Sequence, residues 1–285
     1  MSARARNAVI IVLVVAAVAV GGAYGLRKLW ETAKQHFTSD TCTVGGFDLD
    51  PDQAAVASTM VGAATQFDIS HSRRATVLVL AAALQESKLT NIPPDYGDRD
   101  SVGVLQQRPS QGWGHVDGRP DTIAARRARL TDVGEATREF LAHLANVSHW
   151  WRRPLAAAVQ AVQISADGSA YAQHEPEATA LARALRGRQP AGVSCRFSAP
   201  TKVADPSIVA AQVSDQLGID SPRPDGRSVR VPGAGWQTVA WFVANADRLG
   251  IEQVAYAHQQ WTRSSGKWQD ASATKTAVIA TMYHA

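Results

Sequence analysis

The stretch Val77–Leu89 (VLVLAAALQESKL) is almost entirely apolar until a glutamate interrupts it at position 86. No residue between Arg74 and Glu86 is charged, and most of them are Ala, Val or Leu. A charge-free run of this length predicts a buried helix, with Ser72 as its N-cap. Side chains three or four positions apart share one face of a helix, so Glu86 is expected on an apolar face. That face comprises Ala82, Ala83, Leu89 and Thr90.

A carboxyl group in apolar surroundings has a raised pKa, because burial disfavours its ionised form. Proteins use this effect to keep an acid protonated near neutral pH. The alternative is that Glu86 lies at the exposed C-terminal end of a core helix and simply reaches water. The run by itself leaves both interpretations open.

The N-terminal residues 1–26 are dominated by a second apolar run, Ala8–Leu26, which holds no charge over 19 residues. As a helix this run would be roughly 28 Å long, close to the hydrocarbon thickness of a bilayer. Basic residues flank it on both sides, which favours an uncleaved anchor and a single-pass protein of the cell membrane. A cleaved signal peptide is the alternative, because Gly21–Ala23 offers small residues for cleavage. Both interpretations place residues 30–285 outside the cytoplasm.

Cys42 and Cys195 are the only cysteines of the chain, and they flank its central part. Both lie in polar, loop-like sequence. An even number of cysteines in an exported chain favours a disulfide between them. Two separate buried thiols are the alternative.

The net charge of the chain is +4 and its pI is about 9.3. This balance suits an anionic partner, such as a bacterial cell wall or a lipid surface. The excess is too small and too scattered to indicate nucleic-acid binding, and the chain has no zinc-finger spacing or aromatic-basic RNA motif.

A mostly helical domain is expected at 47–187, preceded by a juxtamembrane linker at 27–46. Asp50-Pro51 forms an N-cap and first-turn pair that predicts a helix to about Phe67. Further helices are expected after the apolar helix, at 121–130, 133–147, 154–165 and 176–186. The Gly-, Pro- and Asp-rich stretch 90–114 (TNIPPDYGDRDSVGVLQQRPSQGWG) is a long structured loop, and loops of this length are usually functional.

The composition changes at 188–200, which is typical of a linker. In residues 201–285, helices are expected near 206–217 and before Gly250. Two later runs, QVAYAHQQW and TKTAVIATMY, have the character of strands. The predicted fold class is therefore a mainly α domain followed by a small α+β domain, behind an N-terminal transmembrane helix.

Two short motifs resemble the lysozyme-like superfamily, specifically the soluble lytic transglycosylases and the goose-type lysozymes. Glu86-Ser87 matches their Glu-Ser at the end of a buried helix. Gly103–Gln106 (GVLQ) matches their Gly-Leu-Met-Gln turn, with Met replaced by Leu. Their third motif, Ala-Tyr-Asn-Ala-Gly, has a counterpart in Ala161–Ser165 (AVQIS), where Val162 and Gln163 replace Tyr and Asn. The resemblance covers the predicted helical domain and implies its lysozyme-like fold.

The resemblance also implies that the protein cleaves the glycan strands of peptidoglycan, with Glu86 as the acid and base. A protonated glutamic acid can protonate the glycosidic oxygen of a sugar polymer. In the transglycosylases the same residue then draws a proton from the muramyl 6-hydroxyl to close an anhydro ring, so one carboxyl suffices. Neither a metal nor another cofactor is expected.

Two alternatives stay open. A hydrolytic muramidase needs a second carboxylate to position water, and Asp98 and Asp100 are the candidates. Aspartates in a Gly-rich loop are, however, usually turn formers. The other alternative is a non-catalytic protein that binds peptidoglycan or a protein partner, which the altered third motif supports.

Five further residues are candidates for contacting the glycan. Ser101, Gln106 and Gln163 lie in or beside the motifs of the resemblance. Trp113 has an aromatic face that suits a pyranose ring, and Tyr171 has the hydroxyl that the third motif lacks. The competing roles are structural, with Gln106 as a loop hydrogen bond and Trp113 as a core side chain.

Residues 201–285 resemble a module that recurs at the ends of exported actinobacterial cell-wall proteins. The matching features are TVAWFVANADRLGIEQVAYAHQQWT and the following GKW. Relatives often end in a His-x-His strand like that of zinc peptidases, whereas this chain offers only His258 and His284. Two histidines without a third ligand do not make a catalytic zinc site, so a non-catalytic module that binds the wall or a partner is expected.

Overall fold

The computed structural model describes residues 40–165 and 167–284 of the chain. The predicted anchor at Ala8–Leu26 lies outside these residues, as does most of the predicted juxtamembrane linker. Among the described residues, no helix combines the length and the apolar character needed to cross a bilayer.

Nine α-helices lie in the described part of the chain, and they follow the segments in which helices are predicted. They are α1 (Pro51–Gln66), α2 (Ser72–Ser87), α3 (Ile123–Thr131), α4 (Val133–Ala145), α5 (Leu155–Gln163), α6 (Glu175–Leu185), α7 (Pro206–Leu217), α8 (Trp236–Ala244) and α9 (Ala246–Leu249). Short 3-10 helices are formed by Pro109–Gln111, Trp150–Arg152 and Gly168–His174. Asp50 precedes α1, and its backbone N–H donates to the side chain of Gln53 (2.7 Å), which satisfies one donor of the helix start.

Helix α2 crosses the core, as the charge-free run predicts. Every residue from Leu78 to Ala83 is fully buried. The helix packs against α1, α5, α6 and the 3-10 helix Gly168–His174. It begins at Ser72, but the prediction that Ser72 is its N-cap is wrong. The N-cap is His71, which takes a left-handed conformation (φ 55°) and makes no side-chain capping hydrogen bond.

A three-stranded antiparallel sheet joins the two ends of the helical part. Its strands, in the order β2-β1-β3, are β1 (Thr41–Val44), β2 (Phe47–Leu49) and β3 (Val193–Arg196). Gly45 and Gly46 form the turn between β1 and β2, with φ values of 61° and 96° that glycine adopts freely. Cys42 lies opposite Cys195 across β1 and β3, and the two form a disulfide. The predicted disulfide is therefore confirmed.

A six-stranded antiparallel sheet lies in the C-terminal part, in the order β4-β5-β9-β6-β7-β8. Its strands are β4 (Arg223–Asp225), β5 (Ser228–Pro232), β6 (Ile251–Tyr256), β7 (Gln259–Thr262), β8 (Trp268–Asp270) and β9 (Ala277–Met282). The run QVAYAHQQW, predicted as a strand, forms the hairpin of β6 and β7. The chain reverses there because Ala257 and His258 take left-handed φ values of 50° and 64°. Helix α8 packs on β6 and β9.

The helical part and the C-terminal part share one continuous hydrophobic core, and Asp40–Ala285 forms a single compact unit. Helix α1 packs against α7 and α8. Gly62 permits its close approach to α7, because a Cβ at that position would lie 2.2 Å from the carbonyl oxygen of Gln216. Separate domains can also share such an interface, so the domain boundary predicted at 188–200 stays a prediction.

The predicted fold class, a mainly α domain followed by a small α+β domain, is wrong; the transmembrane helix of that prediction lies outside the described residues. The structure is about 46% helical and contains two sheets of three and six strands in its described part. The strands β1, β2 and β3 have only three or four residues, too few for an alternating pattern to show in the sequence. Cys42 and Cys195 lie 153 residues apart, so sequence reasoning assigned β1 and β3 to linkers.

Candidate active site

Glu86 lies in the last turn of α2, where the apolar run ends, and it is half-buried. The helix ends after Ser87 because Lys88 and Leu89 both take left-handed conformations, with φ values of 54° and 60°. Leu89 is fully buried, and its N–H donates to the carbonyl oxygen of Ala83 (3.1 Å). Packing therefore holds this end of α2 in place, which favours the interpretation of Glu86 as a buried acid over that of a frayed helix end.

Tyr171 is the main partner of the Glu86 carboxyl. Tyr171 belongs to the 3-10 helix Gly168–His174, and its side chain is fully buried. Its hydroxyl donates a hydrogen bond to Oε1 of Glu86. The side chain of Gln163, the last residue of α5, lies close enough to lower the pKa of Glu86, whereas Oγ of Ser165 donates to the side chain of Gln160 (2.9 Å).

Burial raises the pKa of Glu86 above its ordinary value, and the hydrogen bond from Tyr171 and the nearby side chain of Gln163 offset only part of this effect. Burial, together with the hydrogen bond to Glu86, also raises the pKa of Tyr171. Tyr171 therefore stays protonated and remains a donor at neutral pH. A carboxyl with a raised pKa beside a fixed donor can release a proton and be stabilised as the carboxylate, which is what acid/base chemistry requires.

The turn Gly103–Gln106 is held against the ends of α2 and α5. Oγ of Ser87 donates to the carbonyl oxygen of Val104 (2.7 Å). Nε2 of Gln163 donates to the carbonyl oxygen of Leu105 (2.9 Å). The Glu-Ser pair, the turn and the end of α5 therefore meet at one place, although they are far apart in the sequence.

The conformation of this turn depends on two left-handed residues. Gly103 has a φ of 76°, and a Cβ at this position would lie 2.1 Å from the carbonyl oxygen of Leu130, so only glycine fits. Gln106 has a φ of 47°, and its Nε2 donates to the carbonyl oxygen of Gly103 (2.9 Å). The Gln106 side chain thus folds back on its own turn. Of the two roles predicted for Gln106, substrate contact and loop hydrogen bond, this arrangement favours the loop hydrogen bond.

The two candidate second carboxylates differ in their surroundings. Asp98 is exposed. Asp100 accepts hydrogen bonds from Nε of Arg108 at one carboxylate oxygen and from the backbone N–H of Ser110 at the other, both at 2.8 Å. Loss of solvent alone would raise the pKa of Asp100, but the bonds from Ser110 and Arg108 outweigh it and hold that pKa well below its usual range. Asp100 is therefore ionised, and both its oxygens are engaged in stabilising the loop.

Ser101 and Trp113, both predicted to contact the glycan, are buried, with only 8% of each residue exposed. The Trp113 ring packs against the ring of His143, with centroids 4.3 Å apart. Little of either side chain is open to a ligand in this conformation. The structure brings Gln163 and Tyr171 to Glu86 and places Ser101 and Trp113 in the packed interior, so a substrate role for the last two stays a prediction.

Two exposed apolar side chains near this site are absent from the sequence prediction. Tyr96 is 82% exposed and precedes Gly97, where a Cβ would lie 3.0 Å from Oε1 of Gln106. Ile164 directly follows Gln163 and is 81% exposed. An aromatic residue in a Gly- and Asp-rich loop is a signal that points to Tyr96. Nothing in the sequence indicates that Ile164 is exposed, because its exposure depends on the backbone conformation of the turn after α5.

A separate cleft of about 800 Å³ has residues of α1, α4 and α7 in its walls and does not include Glu86. Its charged side chains are Asp50, Asp52, Asp132, Glu135, Asp215, Arg138 and Arg248. Within the described residues, no three His, Cys, Asp or Glu side chains are placed to hold a metal ion together. Glu86 is a half-buried carboxyl in contact with a buried tyrosine. We therefore take Glu86 and its surroundings, and not this cleft, as the candidate site.

A glutamate with a raised pKa, a buried tyrosine donor and an amide from the end of another helix define a candidate acid/base site. A scan against protein-family models gives no match to this chain, and a search of curated proteins gives none either. The function of the site is therefore argued from its geometry and from the motifs that it assembles.

Proposed function

We propose that the protein cleaves the glycan strands of peptidoglycan, with Glu86 as the single general acid and base. The observation that carries this proposal is the half-buried Glu86 carboxyl, whose pKa is raised by burial, in contact with the hydroxyl of Tyr171. The resemblance of Glu86-Ser87 and Gly103–Gln106 to motifs of the soluble lytic transglycosylases supports it. Ser87 ties these two segments together in the fold.

In the proposed reaction, protonated Glu86 donates its proton to the glycosidic oxygen, and the bond between that oxygen and C1 of the muramyl unit breaks. The resulting carboxylate is stabilised by the hydrogen bond from Tyr171. It then takes the proton of the muramyl 6-hydroxyl, whose oxygen bonds to C1 and closes the anhydro ring. Glu86 ends the cycle protonated, and no water is consumed.

A reaction with one carboxyl fits this site better than hydrolysis. A hydrolase needs a second carboxylate that is free to activate water. Asp100 is poorly suited to this role, because Arg108 and Ser110 occupy both of its oxygens. Asp98 is the carboxylate that a muramidase would use instead.

We also propose that the protein acts outside the cytoplasm. The Cys42–Cys195 disulfide supports this location, because structural disulfides persist in oxidising compartments. Peptidoglycan is a partner found in such a location, and the net charge of +4 suits its anionic character.

A non-catalytic protein that binds peptidoglycan or a protein partner is the second candidate. Two observations favour it. The segment Ala161–Ser165 lacks the Tyr-Asn pair of the third motif, and the side chains of Gln106 and Trp113 are engaged within the protein. In that case the hydrogen bond between Tyr171 and Glu86 is a structural one.

Digestion of purified peptidoglycan with the full chain, followed by mass spectrometry of the released fragments, tests the proposal. Anhydro-muramyl products would support the transglycosylase reaction. Fragments with reducing ends would indicate a hydrolase and would contradict the one-carboxyl mechanism. Binding without release of fragments would favour the non-catalytic protein.

Replacing Tyr171 with Phe is expected to move the pH dependence of kcat/KM to higher pH. The hydrogen bond from Tyr171 lowers the pKa of Glu86, so its loss raises that pKa further above the ordinary value. Glu86 must be protonated to act as an acid, so activity falls as the pH rises through its pKa. The alkaline limb of the profile should therefore lie at higher pH in Tyr171→Phe than in the wild type.

Tyr256→Phe is the matched control for this measurement. Tyr256 lies on β6 of the C-terminal sheet and packs edge-to-face against Trp236, with ring centroids 5.4 Å apart. Its profile should superimpose on that of the wild type. An alkaline limb that stays in place or moves to lower pH in Tyr171→Phe would show that this hydrogen bond does not tune Glu86.

A further inference from the structure

The turn that follows α5 contains a residue in an unfavourable backbone conformation. Ile164 takes a φ of 51° and a ψ of 44°, and its N–H donates to the carbonyl oxygen of Gln160 (3.0 Å). Glycine or asparagine usually occupies such a helix end, because a β-branched side chain crowds the backbone there. Among the non-glycine residues with positive φ in the described chain, Ile164 is the one with a β-branched side chain.

Burial does not compensate for this strain. The Ile164 side chain is 81% exposed, whereas Leu89, which is also left-handed, is fully buried. In the free protein, isoleucine at this position therefore gains nothing over glycine or asparagine. Strained residues that packing does not explain occur most often at ligand-binding and active sites.

Gln163, the residue before Ile164, places Ile164 beside the Glu86 site. Nε2 of Gln163 donates to the carbonyl oxygen of Leu105 (2.9 Å), in the turn that Ser87 also holds. The Gln163 side chain also lies close enough to Glu86 to lower the pKa of that carboxyl. Ile164 follows directly and presents its side chain to solvent.

The turn is held without any help from the Ile164 side chain. The Gln160 amide donates to the carbonyl oxygen of Ser165 and accepts from its Oγ, both at 2.9 Å. Gly168 leaves room for this amide, because a Cβ at that position would lie 2.6 Å from Cδ of Gln160. The left-handed conformation is therefore set before any ligand arrives.

We propose that Ile164 is a substrate contact, whose side chain binds the apolar C–H surface of a sugar residue next to the bond that Glu86 cleaves. This inference rests on the proposed function. Sugar rings present C–H faces that pack well against apolar side chains, and binding would remove the Ile164 side chain from water. Because the backbone is already in place, little ordering is needed when the glycan binds.

Ile164→Asn in the full chain tests this contact, because asparagine tolerates the left-handed conformation but offers a polar surface. We expect the Kd for insoluble peptidoglycan, measured by sedimentation, to rise about fivefold, the order expected for losing the burial of one or two methyl groups. The melting temperature should stay equal or rise, since the strain is relieved. Ile164→Leu keeps the apolar surface without the β-branch and should bind like the wild type.

Ile208→Asn is the control for loss of an exposed isoleucine, because Ile208 is 53% exposed on α7. Its Kd should equal that of the wild type. Equal Kd values for Ile164→Asn and the wild type would overturn the proposal, as would weakened binding by Ile164→Leu.

The measurement does not depend on cleavage. A wild type that binds but releases no fragments contradicts the proposed reaction alone, whereas a wild type that does not bind contradicts both proposals.

Discussion

Glu86→Gln is expected to abolish glycan cleavage while leaving the fold intact. The amide has nearly the shape of the carboxylic acid, but it cannot donate a proton to the glycosidic oxygen or take one from the 6-hydroxyl. General acid–base catalysis contributes about 10²- to 10⁴-fold to a rate, so the loss should be at least about a hundredfold. The release of soluble fragments from purified peptidoglycan, at equal protein concentrations, measures it.

The same substitution should not destabilise the protein at neutral pH. The pKa of Glu86 is raised in the folded state, so protonation of Glu86 stabilises the folded protein. This contribution is complete below the pKa of the unfolded state and is lost as the pH rises through the folded pKa. Above that value the fold contains a half-buried carboxylate, which glutamine avoids. The melting temperature of Glu86→Gln should therefore equal or exceed that of the wild type at neutral pH, with the difference vanishing in acid.

Glu177→Gln is the matched control, because burial also raises the pKa of Glu177, on α6. It should retain full cleavage activity. An active Glu86→Gln protein would remove the proposed mechanism. Loss of activity with an unchanged melting curve supports it, whereas loss of activity together with a lowered melting temperature contradicts the expectation of an intact fold.

The sequence predicts the part of the site that depends on a local pattern, which is the buried helix α2 that carries Glu86 in its last turn. The charge-free run before Glu86 is long enough to predict a buried helix, although it leaves open whether Glu86 at its end is buried or exposed. Tyr171 is 85 residues away. The sequence predicts Tyr171 only as a substrate contact that supplies the hydroxyl missing from the third motif, whereas in the structure this hydroxyl donates to the Glu86 carboxyl.

The rest of the site depends on contacts between segments that have no local signal. Asp100 looks like any aspartate in a Gly-rich loop, and its engagement by Arg108 and Ser110 follows from how that loop closes. Trp113 is buried because His143 on α4 packs against it. The left-handed conformation of Ile164 belongs to a turn in which the Gln160 side chain bonds to Ser165, and a sequence of apolar and polar residues cannot reveal it.

Replacing both Cys42 and Cys195 with Ala is expected to lower the free energy of unfolding by about 2 to 5 kcal/mol. The disulfide joins residues 153 positions apart and so closes a loop that contains the whole candidate site. In the chain-entropy account, a loop of that length removes much of the freedom of the unfolded chain. Both cysteines are buried, so alanine is preferable to serine, which would bury an unpaired hydroxyl. Denaturant titration under oxidising conditions measures the loss.

Reduction of the wild type is the matched control for this variant. A reductant should lower the stability of the wild type by a similar amount and leave the double alanine variant unchanged. Strand β1 packs on α1 and α6, and β3 packs on α8, so Glu86 and its partners are not touched by the substitution. Any cleavage activity should therefore persist at temperatures below unfolding. Free thiols in a non-reducing peptide map, together with a wild-type stability that a reductant does not change, would contradict a stabilising role for the disulfide and weaken the argument for an oxidising compartment.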